Sequence, residues 1–67
     1  MLPIVNTVRE QREARGMTQS ELGAEIAMTR QTIAAIEQRR YSPSLESAFR
    51  LARFFNMGIE HLFRWDE

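Results

Sequence analysis

The chain has 67 residues, 43% apolar and 27% charged, with nine arginines balancing nine acidic side chains and no lysine or cysteine. Zero net charge excludes a polycation that holds nucleic acid by bulk attraction; the absence of cysteine excludes disulfide staples and thiolate metal sites, as expected of a cytoplasmic protein. No run nears the roughly 20 apolar residues of a membrane span, and the start M-L-P-I-V-N lacks the basic region of a signal peptide.

The length suits one domain, residues 1–67, small enough to gain from dimerisation. Ile4 and Val5 follow a proline and carry no cap, so an extended segment is expected over Leu2 to Val5. Thr7-x-x-Glu10 reads as a capping box and predicts a helix over 7–15, with Gly16 as its stop. The apolar face of that helix is thin, Val8 and Ala14. Gln11 stands where a large apolar residue is expected and needs either partners or a place at the core's edge.

A second box, Thr18-x-x-Glu21, predicts a helix over 19–26, with Met17 as a hydrophobic staple. Gly23 inside it carries a penalty of up to about 1 kcal/mol relative to alanine; close approach of the next helix would account for it. Thr29 caps that next helix, expected over 30–38. Leu22, Ile26, Met28, Ile33 and Ile36 give the two helices one buried stripe each. The rest is polar, and Arg30, Gln31 and Thr32 are side chains that can read base edges from a major groove.

Arginine at a helix start opposes the positive end of the dipole, which a phosphate or base partner would explain. The helix start at Thr18 and Gln19 offers free N–H groups for a phosphate. From Thr29 to Tyr41, Arg30, Arg39 and Arg40 face only Glu37, a local excess of two positive charges in a neutral chain. Asp66 and Glu67 are expected away from any DNA. Two short helices, a tight turn and this polar set predict a helix-turn-helix DNA-binding unit.

Ser44 caps a fourth helix over 45–55, with Pro43 at its first position as an alternative start. Its apolar stripe is Leu45, Ala48, Phe49, Leu51, Ala52 and Phe55. Asn56 and Gly58 end it; a brief fifth helix over 59–63 and an extended end follow. Ile59 and Leu62, with Phe63, are too apolar for a free surface and point to a dimer interface. Phe54, Phe55 and Trp65 lack the interleaved basic residues of a nucleobase-stacking face and are expected in the core or that interface. His61, the one histidine, has no partners for a metal site or a catalytic triad and is expected on the surface. The sequence thus implies no enzyme, no cofactor, no metal and no small-molecule ligand.

Four stretches carry a resemblance: R-E-A-R-G-M-T-Q-S-E-L from Arg12, T-R-Q-T-I-A-A-I-E from Thr29, Y-S-P-S-L-E-S-A-F-R-L-A from Tyr41 and G-I-E-H-L-F-R-W from Gly58. Through them nearly the whole chain resembles the Cro/C1-type (Xre) helix-turn-helix regulators, in their minimal single-domain form. The resemblance implies an all-α, five-helix, lambda-repressor-like domain whose ends, Leu2 to Val5 and Phe63 to Asp66, pair as antiparallel strands. It implies a homodimeric transcriptional regulator, most often a repressor, on double-stranded DNA with an inverted-repeat operator. Base-reading positions would be Arg30, Gln31, Thr32 and Ala35. Backbone contacts would come from Thr18, Gln19, Thr29, Arg39, Tyr41 and Ser42. Arg12 would pair with Glu37.

The chain departs from the family pattern at four places. Ala27 replaces the turn glycine, Gly23 the helix alanine, Gln11 a leucine and Ser42 an asparagine. The competing expectation is an antitoxin or adaptor that mainly holds another protein; the intact polar set on the third helix argues against it.

Overall fold

Five helices and a two-stranded antiparallel ribbon make up the computed structural model, which describes residues 1–66. In chain order they are β1 (Ile4–Asn6), α1 (Val8–Ala14), α2 (Gln19–Ile26), α3 (Arg30–Glu37), α4 (Leu45–Phe54), α5 (Ile59–Leu62) and β2 (Phe63–Trp65). Helix boundaries fall within one residue of those expected. The ribbon pairs Ile4 with Trp65, Val5 with Arg64 and Asn6 with Phe63. Its first strand begins two residues later than expected, because the Leu2 amide donates instead to the Arg39 carbonyl at 3.2 Å.

Local chemistry explains most helix starts. Thr18 Oγ1 accepts from the Glu21 amide at 3.0 Å and the Glu21 carboxylate accepts from the Thr18 amide at 2.8 Å, a complete capping box. The Thr29 and Ser44 hydroxyls each accept from the amide three residues on, at 3.1 Å. The expected Thr7–Glu10 box does not form. The Thr7 amide is drawn to the Leu62 carbonyl at 3.0 Å, and its buried hydroxyl makes no hydrogen bond. Asn6 Oδ1 takes over, accepting from the Val8 amide at 3.1 Å.

Helices α1 to α4 all end in the same motif, a left-handed residue followed by an amide that bonds back to the last turn. The left-handed residues are Gly16, Ala27, Arg39 and Asn56, with φ between 56° and 66°. The return bonds run from Met17 to Arg12, Met28 to Gly23, Arg40 to Ala35 and Met57 to Ala52, at 2.8–3.1 Å. Glycine and asparagine adopt this conformation readily; alanine and arginine do so at a cost of roughly 1–2 kcal/mol.

The core gathers Val8, Leu22, Ile26, Ile33, Ile36, Leu51, Ala52, Phe55 and Leu62, with Met17, Met28 and Ile59 packed at its margin. Three expectations need correction. Leu45 and Phe49 of the predicted α4 stripe are exposed, at 71% and 47%. At 100° per residue they lie about 70° and 110° around the helix from the centre of the buried arc of Ala48, Leu51, Ala52 and Phe55. Ala14 is exposed, so α1 buries only Val8 and Arg12. Leu62 is 1% exposed and belongs to the core rather than to a partner surface; α5 is a single turn and this is the face it turns inward. Gln11 sits half-buried at the edge, its Oε1 accepting from Arg15 Nη1 at 3.2 Å.

Candidate nucleic-acid interface

The geometry of α3 follows from two buried isoleucines and one glycine. Ile33 and Ile36 are 0% and 1% exposed and fix which face of α3 turns inward. A Cβ at Gly23 would collide with the Met28 carbonyl oxygen, so only glycine lets the turn between α2 and α3 close this tightly. Ala27 supplies the sharp reversal with its φ of 58°.

With that face inward, helical periodicity puts Gln31, Ala34, Ala35 and Gln38 opposite the core. Arg30 flanks them on one side and Thr32 on the other. Arg30 and Gln31 are exposed, and among the described residues neither side chain has an intramolecular hydrogen-bond partner. Thr32 is half-buried and its hydroxyl is tied to that of Thr29 at 2.9 Å. Sequence reasoning missed Ala34 and Gln38, although the i, i+3 and i+7 spacing from Gln31 marks them.

Beneath this face lies an ion pair. Arg12 Nε donates to Glu37 Oε2 at 2.8 Å and Nη2 to Oε1 at 3.2 Å, while Nη1 reaches the Met17 carbonyl at 2.7 Å. Gln19 Nε2 completes the cluster by donating to Glu37 Oε1 at 3.1 Å. The hydrogen bonds that Arg12 donates to Glu37 hold its guanidinium above the ordinary pKa, against the opposing effect of burial. One carboxylate thereby joins the end of α3 to α1 and to the start of α2. The Gln19 side chain is occupied here; its backbone N–H, in the first turn of α2, has no helical acceptor.

The expected phosphate contacts divide. Tyr41, half exposed, and Ser42 lie open in the loop after α3. Arg39 does not: its guanidinium donates to the Leu2 carbonyl through Nε at 3.2 Å and Nη2 at 2.7 Å, and to Asp66 Oδ2 at 2.9 Å. Asp66 therefore sits beside this loop rather than remote from it; Glu67 lies outside the described residues. With Glu37 matched by Arg12 and Arg39 by Asp66, Arg30 and Arg40 are the cations of this stretch without a carboxylate partner among the described residues. Arg40 is exposed, its Nε donating to Gln38 Oε1 at 2.8 Å. Among the described residues no helix is long and apolar enough to cross a membrane, and no group of three His, Asp or Glu could hold a metal ion.

The α2–turn–α3 unit, capped at both starts and polar on the outer face of α3, defines a helix-turn-helix protein. A helix-turn-helix family model matches residues 8–62. An HTH-type transcriptional regulator of Archaeoglobus fulgidus is 45% identical over 60 residues, which are 90% of this chain and 86% of that one. Another, from Methanothermobacter thermautotrophicus, is 51% identical over 55 residues, 82% of this chain and 77% of its own. The HTH-type regulator YgzD of Bacillus subtilis is 42% identical over 62 residues, 92% and 94% of the two chains. The chain belongs to the Xre-type helix-turn-helix family of DNA-binding transcriptional regulators.

Proposed function

We propose that the protein is a cytoplasmic, sequence-specific repressor that binds an inverted-repeat operator as a homodimer, with α3 in the major groove. The observation that carries this reading is the pair Arg30 and Gln31, exposed at the start of α3 with no side-chain hydrogen-bond partner among the described residues. Arginine pairs bidentately with guanine and glutamine with adenine, each worth about 1–3 kcal/mol of discrimination. Ala35, one turn beyond Gln31, suits a thymine methyl, and Gln38 extends the same face. Thr32, its hydroxyl shared with Thr29, contributes at the groove's edge.

Phosphates would be met by the free amides at the starts of α2 and α3, behind Thr18, Gln19 and Thr29, by Tyr41 and Ser42, and by Arg40 in place of Arg39. Because the chain is neutral, affinity rests on these placed groups.

Dimerisation supplies the second half-site, about one helical turn or roughly 34 Å away. The surface best suited to it is an apolar groove lined by Ile4, Pro43, Leu45, Ala48, Ile59 and Phe63. Exposed Leu45 borders it, and Trp65, 64% exposed, stands opposite Ile4 on the ribbon. This patch replaces the Ile59–Leu62–Phe63 face expected from sequence, keeping Ile59 and Phe63. Repression would follow from occluding polymerase at the operator. The test is selection of bound duplexes from a random pool, followed by titration of selected and scrambled sites. A preference of about a thousandfold or more supports the reading; equal affinity for both sinks it.

A further inference from the structure

Four left-handed residues end helices in this fold, and Arg39 is the one with a long side chain. Nothing in the local backbone calls for arginine there: Gly16 and Asn56 serve the same motif at the ends of α1 and α4. The reason lies in what the side chain holds. Its three hydrogen bonds reach the Leu2 carbonyl, twice, and the Asp66 carboxylate. Its own carbonyl accepts from the Leu2 amide at 3.2 Å, and Asp66 donates its amide to the Pro3 carbonyl at 2.7 Å. The side chain is only 20% exposed. Both ends of the described chain are thus tied to the residue that closes α3.

A second tie runs in parallel, from Asn6 Nδ2 of β1 to the Ile36 carbonyl at 3.0 Å. That carbonyl also accepts from the Arg39 amide at 3.0 Å. The ribbon and the residues flanking it therefore hold the end of α3 at two points, Ile36 in its last turn and Arg39 just beyond it.

We propose that Arg39 is a positioning residue for DNA binding. It clamps the terminal ribbon to the end of α3, so that the apolar surface on the ribbon and the base-reading face keep a fixed relative orientation. The inference rests on the dimeric DNA-binding reading above, and it removes Arg39 from the phosphate contacts. A guanidinium is suited to the task because its planar fork serves two acceptors at once. A left-handed backbone held by its surroundings is the kind of outlier from which function can be inferred.

The test compares Arg39→Gly, which fits the backbone, with Arg39→Lys, which keeps the charge but loses the fork. Amide exchange at Leu2 and Asp66, and titration of a selected duplex at several salt concentrations, are read on the full chain. With the clamp, both variants exchange at least about tenfold faster at these amides. Both also bind the duplex about tenfold more weakly, with the salt slope of wild type. Unchanged exchange in Arg39→Gly overturns the clamp. So does a salt slope lowered by about one in Arg39→Gly and restored in Arg39→Lys, which is the signature of a phosphate contact. If the wild-type chain binds no selected duplex, the dimeric DNA-binding reading fails, and exchange alone still decides whether Arg39 clamps the ribbon.

Discussion

Arg12 and Glu37, 25 residues apart in sequence, meet through two parallel hydrogen bonds in a site where the Glu37 side chain is 4% exposed. Such a pair adds little net stability, but breaking it leaves a charge without its partner. Arg12→Ala is expected to lower stability by about 3–5 kcal/mol, because Glu37 stays buried and the Met17 carbonyl loses its donor. Arg12→Met with Glu37→Leu is expected to lose far less than the sum of the single changes. Urea midpoints of wild type, Arg12→Met, Glu37→Leu and their double variant complete the cycle, and Arg12→Ala measured beside them checks the first statement.

The same pair sets a pH expectation. Glu37 raises the folded-state pKa of Arg12. A raised basic group contributes stability that is complete below its unfolded value and is lost only as pH rises through the folded one. Both lie in the strongly alkaline range. The part of stability that depends on the Arg12 charge should therefore be flat from about pH 6 to 9, and a midpoint difference between wild type and the Arg12→Met, Glu37→Leu double variant that drifts across that window would contradict it.

Gly23 and Ala27 exchange the residue types that the family usually places there, and the structure brings both positions into one turn. The left-handed Ala27 swings the Met28 carbonyl over Gly23, where a Cβ has no room. Gly23→Ala alone should destabilise by about 1–3 kcal/mol through this overlap, despite its better helix propensity. Ala27→Gly should relieve backbone strain and stabilise by up to about 1 kcal/mol. In the double variant the turn can relax, and the loss at position 23 should shrink by at least about 0.5 kcal/mol. Strict additivity in thermal unfolding would refute the link.

How legible the molecule was from its sequence depended on distance along the chain. Caps at Thr18, Thr29 and Ser44 act within three residues, so the helices they open were readable directly. The Thr7 cap failed because its amide answers to Leu62, 55 residues on. The Arg12–Glu37 pair and the terminal ribbon were legible through the family pattern rather than through local chemistry, whereas that pattern left open whether Ala27 would turn left-handed as glycine does. Arg39 looked like a phosphate contact because its charge was visible and its acceptors, at Leu2 and Asp66, were not. Leu62 looked like surface because a one-turn helix carries too little periodicity to say which side faces in. On α3 the buried isoleucines were readable, and with them the outer face, yet Ala34 and Gln38 went unmarked for want of an obvious chemical signature.

Sorting the contacts on α3 gives a prediction about specificity. Arg30→Ala and Gln31→Ala should each relax base preference at one operator position by about 1–3 kcal/mol. Arg40→Ala should instead weaken binding evenly across sequences and lower the salt slope by about one. Competition of each variant against a panel of single-base operator changes separates the two behaviours. A uniform loss in all three would mean that Arg30 and Gln31 meet only the backbone.

The proposed dimer surface can be tested without harming the core, because its exposed members are not needed for folding. Leu45 and Trp65 are 71% and 64% exposed, whereas Leu62, in the same part of the fold, is 1% exposed. A charge placed at either exposed position would enter a desolvated interface in the dimer but stay in water in the monomer. Leu45→Glu and Trp65→Glu should leave the helical content of the isolated chain intact and raise the dimer dissociation constant at least about tenfold, a change of roughly 1.4 kcal/mol. Operator binding should fall with it, since one half-site presents only half of the contacts. Leu62→Glu should unfold the chain outright. Sedimentation equilibrium, with circular dichroism on the same samples, distinguishes these cases. If Leu45→Glu and Trp65→Glu both dimerise as wild type does, the groove beside Ile59 and Phe63 is not the interface, and the half-sites must be joined through another face of the domain.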